Sequence, residues 1–219
     1  DKTELAIQVL KSRQFTSDFI QRHNILADLM AAEKWDRDAD KIIYDPELYN
    51  EQTNTWVREV KAPFKPEPSM QEAYKAFSKM IVVNKAKDTG MVTLSVEHLS
   101  PTVAQQWVTW LIQDINKVMK ERDVAEAHRS TEFLNKQIAL TNVADIKTVL
   151  YKLIEEQAKT IMFAEVRDEY VFKTIDPALA PEEKAKPKRA LICVLGTMLG
   201  GMLGVMLVLV RHFMRKEQN

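Results

Sequence analysis

Residues 190–210 read ALICVLGTMLGGMLGVMLVLV, and none of these 21 residues is charged. A helix of that length rises about 31 Å, at roughly 1.5 Å per residue, close to the thickness of a bilayer's hydrocarbon core. Four of the chain's five glycines fall inside it: Gly196, Gly200, Gly201 and Gly204. The spacing Gly196-xxx-Gly200-xxx-Gly204 is the small-residue pattern that lets membrane helices approach closely. A buried core helix is the competing reading. The length of the run and its basic flanks argue against it, with Lys186, Lys188 and Arg189 before and Arg211, Arg215 and Lys216 after. A transmembrane helix over 188–211 is expected, with a short tail over 212–219 and the glycines packing against a partner helix.

The part ahead of this run, 1–189, carries 28 basic and 30 acidic residues. Such a balance argues against a nucleic-acid-binding surface, which shows a basic excess. The single cysteine, Cys193, lies inside the apolar run, where it reads as a small apolar filler. The rest of the chain therefore has no disulfide and no thiolate metal site. Lys184, Lys186, Lys188 and Arg189 on one side, against three basic residues on the other, give too little asymmetry to orient the span. The sequence opens on Asp1 rather than Met, so a longer chain is expected.

Residues 3–24 carry two short apolar stripes, Leu5, Val9 and Leu10, then Phe15, Phe19 and Ile20, and read as two short helices. Helical spacing continues over 25–35. Residues 36–68 are polar, with Pro46, Pro63, Pro66 and Pro68, and read as a connection with one short helix over 47–60. Ser69-Met70-Gln71-Glu72 is a capping box ahead of Ala73, Phe77, Met80 and Ile81. Residues 81–99 read as a β-hairpin turning on Asp88-Thr89-Gly90, with Val92, Leu94 and Val96 on one face. Ser100-Pro101 opens a helix, because Ser caps and Pro suits the first helical position. From Thr102 to Asp176 there is neither Gly nor Pro, a run of 75 residues. It implies a first helix over 101–140, on the order of 60 Å long. A break near Thr141-Asn142, with Asn142 able to cap, then leads to a second helix over 143–167. The first is charged through its middle, at Arg122, Asp123, Glu126, His128 and Arg129, so it must project from any core and bury its stripe on a partner. Residues 170–175 return to strand character before Pro177, Pro181 and Pro187 stiffen the approach to the span. The expected architecture is α+β: an α/β base near the membrane, its strands meeting in one small sheet, and a projecting helical hairpin over 101–167.

The inventory for catalysis is thin. One glycine outside the apolar run leaves no backbone for a phosphate cradle. His23, His98, His128 and His212 show no metal-ligand spacing. Glu155-Glu156 and Glu182-Glu183 read as solvated faces, and Trp107 and Trp110 as packing residues. No cofactor and no metal are expected.

Several of these residues together resemble a known family. Pro177, Pro181 and Pro187, then Arg189-Ala190-Leu191-Ile192, then Gly196, Gly200, Gly201 and Gly204, resemble the proline/glycine-rich signature of the Wzz polysaccharide chain-length determinants, the class 1 polysaccharide co-polymerases. Lys11-Ser12-Arg13-Gln14-Phe15 with Phe19 and Ile20 resembles that family's first helical region, and the order of elements matches. Two features depart from the pattern. The first membrane helix of the family is absent here, and the proline spacing is looser. The resemblance implies an inner-membrane protein of a Gram-negative bacterium, with 1–187 periplasmic and the termini cytoplasmic. It implies a homo-oligomer, commonly an octamer, that is not an enzyme. Such a protein regulates how many repeat units the Wzy polymerase adds to a lipid-linked O-antigen before lipopolysaccharide is completed. A different reading of the same layout is an extracytoplasmic helical sensor with a membrane anchor. The short tail over 212–219 holds no signalling domain and weighs against it. A membrane-anchored enzyme would need a nucleophile–base pair that the sequence does not offer.

Overall fold

The computed structural model describes residues 1–182 and 189–216, with side chains over 1–182 and 192–206. The chain divides into two compact units, Asp1–Ala180 and Pro181–Asn219.

The first unit opens with the two expected helices, α1 (Lys2–Leu10) and α2 (Arg13–Arg22). Ser12 caps α2 by accepting the Phe15 N–H at 3.2 Å. The helical spacing of 25–35 is realised only in α3 (Leu26–Met30). From there the chain forms β1 (Ala32–Asp36), paired antiparallel with β2 (Lys41–Tyr44). A second small hairpin joins β3 (Tyr49–Asn50) to β4 (Thr55–Trp56), so the helix expected over 47–60 is not formed. The turn chemistry explains the difference. Asp36 Oδ1 accepts the N–H groups of Asp38 and Ala39, and Asn50 Oδ1 accepts those of Gln52 and Thr53. Each is an Asx turn, and each is followed by a left-handed residue, Asp40 at φ 46° and Asn54 at φ 52°. Asp and Asn tolerate that region where most residues do not.

Helix α4 (Met70–Met80) begins with both halves of the capping box. Ser69 Oγ accepts the Glu72 N–H at 3.3 Å, and Glu72 Oε2 accepts the Ser69 N–H at 3.0 Å. The hairpin of β5 (Ile81–Lys85) and β6 (Val92–Val96) follows as expected, with Gly90 at φ 70° in its turn. Then comes α5 (Pro101–Leu140), capped by Ser100, whose Oγ accepts the Val103 N–H at 3.2 Å. The chain breaks over 141–143 and returns as α6 (Ala144–Val166), packed along α5. Asn142 does not cap it; Val143 holds the cap position with no side-chain bond.

The core explains why α5 is anchored at one end only. Trp107, Leu111, Ile115 and Met119 recur at near-helical spacing and are buried with Phe19, Ile20, Ile25 and Phe77. Beyond Met119 only Ala127 of α5 is buried; past the contacts of Asp123 with Lys2 and Tyr170 the remainder leaves the core packed along α6.

The strand expected over 170–175 is not formed either. Asn116 of α5 takes its place: Oδ1 accepts the Val171 and Phe172 N–H groups at 2.7 and 2.9 Å, and Nδ2 donates to the Phe172 carbonyl at 2.9 Å. One side-chain amide satisfies what a neighbouring strand would otherwise satisfy. The strands of the described residues therefore form three separate two-stranded sheets, not one. The second unit contains α7 (Arg189–Lys216).

Candidate functional site

The residues that fix the projecting hairpin to the base form two charged clusters. Asp114 of α5 is buried and receives α2 twice, from Arg22 Nη1 at 3.0 Å and His23 Nε2 at 2.9 Å. The His23 ring also stacks on Trp110, with centroids 4.2 Å apart. A carboxylate held this way orients α5 on α2, and removing either partner would leave a charge in a poorly solvated place. Further along α5, Asp123 accepts bonds from Lys2 of α1 and from the Tyr170 hydroxyl, the latter at 2.7 Å. Partial burial works to raise the Asp123 carboxyl, but the bonds from Lys2 and Tyr170 outweigh it and hold it below the usual carboxylate range. The same bond to Asp123 holds the Lys2 ammonium above its ordinary value. Thus the start of the chain, the middle of α5 and the segment after α6 are pinned at one point. The sequence reading did not find this cluster, because its members lie 121 and 47 residues apart.

Along α6 the apolar stripe divides into two faces. Leu150, Ile154, Ile161 and Ala164 lie half-buried or buried, whereas Ile146, Val149 and Leu153 remain exposed, as does Phe133 of α5. The pairing of α5 with α6 therefore leaves part of the hairpin's apolar surface exposed. Among the described residues no group of three or more His, Cys, Asp or Glu is placed to hold a metal ion.

In the second unit, Gly196, Gly200 and Gly204 follow one another at four-residue steps on α7, each about 40° further round the helix. Gly201 sits roughly 100° from Gly200. A Cβ added at any of the four meets nothing within 4 Å among the described residues. The large apolar side chains of α7 over 192–206 are exposed, among them Ile192, Leu195, Met198, Leu199, Met202 and Leu203. Thr197 returns its hydroxyl to its own helix, donating to the Cys193 carbonyl at 2.6 Å. Among the described residues no helix is long and apolar enough to cross a membrane. The span expected over 188–211 extends past the described side chains at both ends.

The proline approach is described in part. Pro177 and Pro181 are exposed, and between them the Ala178 carbonyl accepts from Gln105 Nε2 at 2.8 Å, beside the first turns of α5. Pro187 and the tail from 217 lie outside the described residues.

Residues 135–213 match the family model GNVR, described as a G-rich domain on putative tyrosine kinase. The matched stretch starts in the last turns of α5, takes in all of α6 and the proline approach, and ends within α7. That domain is found in polysaccharide co-polymerase and Wzc-type proteins, and it supports that class broadly without singling out the Wzz branch. No curated protein matches the chain.

Proposed function

We propose that this chain is a polysaccharide co-polymerase of the chain-length-determining type. In this reading it regulates lipopolysaccharide O-antigen length together with the Wzy polymerase. It is a non-catalytic scaffold, a homo-oligomer, held in the inner membrane by 188–211 with 1–187 in the periplasm. The observation that carries the reading is the GNVR match, because it joins α6, the proline approach and the glycine-bearing helix in one stretch of a polysaccharide-linked domain. The chemistry of α7 supports the anchor: over 192–206 its large apolar side chains are all exposed, and its threonine is satisfied internally. Both are what a helix in hydrocarbon requires. The apolar surface left on the hairpin supports contacts between copies.

A second reading is favoured by the words of the family description. A G-rich domain on a putative tyrosine kinase points to the kinase-linked co-polymerases, which serve exported polysaccharides rather than O-antigen. One experiment separates the two. The full-length gene is expressed in a host lacking its own chain-length regulator, and the lipopolysaccharide ladder is read on a gel. A clustered modal length supports O-antigen regulation. An unchanged ladder with altered capsule or exopolysaccharide size supports the second reading. No change in either, with the protein present in the membrane, rejects both.

A further inference from the structure

The helical hairpin exposes charged and apolar residues side by side, and one place gathers them in a groove. A shallow groove of ≈ 430 Å³ runs between the last third of α5 and the facing turns of α6. It is lined by Arg129, Ser130, Phe133 and Leu134 from α5 and by Leu153 and Gln157 from α6. Phe133 keeps 60% of its surface in solvent. Arg129, Ser130 and Gln157 have no hydrogen-bond or ion-pair partner among the described residues. Of the charges nearby, Lys136 pairs with Glu132, and Lys159 with Glu155 and Glu156. The guanidinium, hydroxyl and carboxamide with unspent hydrogen-bonding capacity are therefore gathered around one exposed aromatic ring.

We infer that this groove is a subsite for one pyranose unit of a polysaccharide, an acidic sugar in preference to a neutral one. The inference rests on the polysaccharide reading above and adds where the glycan is held. A pyranose has an apolar C–H face and a rim of hydroxyls. Phe133 suits the face, with Leu134 and Leu153 beside it. Gln157 offers both donor and acceptor to vicinal hydroxyls, and Ser130 either. Arg129 presents a planar fork of donors that fits a sugar carboxylate in two-point contact. A second copy of this chain is a poorer occupant, because it would bury an unmatched guanidinium. One such open groove binds weakly. Repetition of the groove around a homo-oligomer raises the avidity for a chain of repeating sugars without any new contact.

The test uses the full chain in lipid nanodiscs and, as probes, the delipidated polysaccharide of the source strain and its single repeat unit. Binding is followed by calorimetry and oligomer mass by light scattering. The polysaccharide binds more tightly than the single unit. Phe133→Ala and Arg129→Gln each weaken binding about ten-fold, the size of losing one buried contact or charged hydrogen bond. Oligomer mass stays unchanged. Absence of binding by the wild type, or binding by both variants as tight as the wild type's, overturns the inference. So does loss of the oligomer in Phe133→Ala, which would make the groove a contact between copies. The ladder experiment is run in parallel. If the wild type sets a modal length but the polysaccharide does not bind, the groove is wrong and the function stands. If the wild type sets no length, the function is wrong, and the titration still judges the groove.

Discussion

Arg58 holds the proline-bearing loop before α4 with every arm of its guanidinium. It meets Glu72 at 2.8 and 3.0 Å and the carbonyls of Pro66 and Lys65 at 2.6 and 2.9 Å. The guanidinium foremost, then the Ser69 backbone N–H, lowers the Glu72 carboxyl from its ordinary 4.5 to about 2. A carboxyl depressed on folding stabilises the fold above its unfolded value, and that contribution is lost as pH falls through the folded value. The window here runs from about 4.5 down to about 2. Arg58→Ala should cost about 2 kcal/mol at neutral pH, the range of a charged hydrogen-bonded pair that is mostly buried. It should also flatten the acid limb across that window. Thermal melts of wild type and variant against pH check both; parallel acid limbs would mean that Glu72 is not held by Arg58. The local half of this site was legible, since Ser-x-x-Glu names the capping box from four adjacent residues. The arginine was not, because nothing in the pattern of 57–68 says which cation turns back to the helix. Asn116 was equally hidden: a lone amide on an amphipathic helix gives no sign that it will bond a backbone 55 residues away.

Elements whose ends carry their own chemistry were the ones the sequence placed well. The expected starts of α4 and α5, and the turn of the β5–β6 hairpin, agree with the structure, because Ser69, Gly90 and Ser100-Pro101 each satisfy or permit a specific backbone geometry. The two early hairpins were missed because their strands are short, one pair only two residues long, and too brief to show alternation. Their signal lay in Asx turns inside a stretch whose polarity and prolines suggested a plain connection. The cap of α5 gives a direct test. Ser100 is buried, its Oγ takes the Val103 N–H, and its own N–H is donated to His98 Nδ1 at 3.1 Å. Ser100→Ala should destabilise the fold by about 1 kcal/mol, whereas Ser100→Gly should cost only a few tenths. The difference in melting temperature between the two variants reads this out. Equal losses would assign the cost to packing around the buried residue rather than to the cap.

At the scale of the whole molecule, the question is what the glycine face of α7 is for. Gly196, Gly200 and Gly204 were singled out from spacing alone, and a Cβ at each meets nothing within 4 Å among the described residues. A larger side chain at Gly200 raises helix propensity by about 1 kcal/mol. Under the proposed function, a defect it causes is assigned to a neighbour that needs the close approach glycine allows, another membrane helix or the polymerase. Under the proposed function, Gly200→Leu should leave expression, membrane insertion and the proposed oligomer intact while shortening or randomising glycan length. Met202→Leu, roughly 200° round the helix from Gly200, serves as the control and should change nothing. The readout is the lipopolysaccharide ladder together with oligomer mass in detergent. An unchanged length distribution in Gly200→Leu at normal expression would remove the glycine face from the mechanism and leave regulation to the helical hairpin. A loss of the oligomer in the same variant would instead make the face a contact between copies.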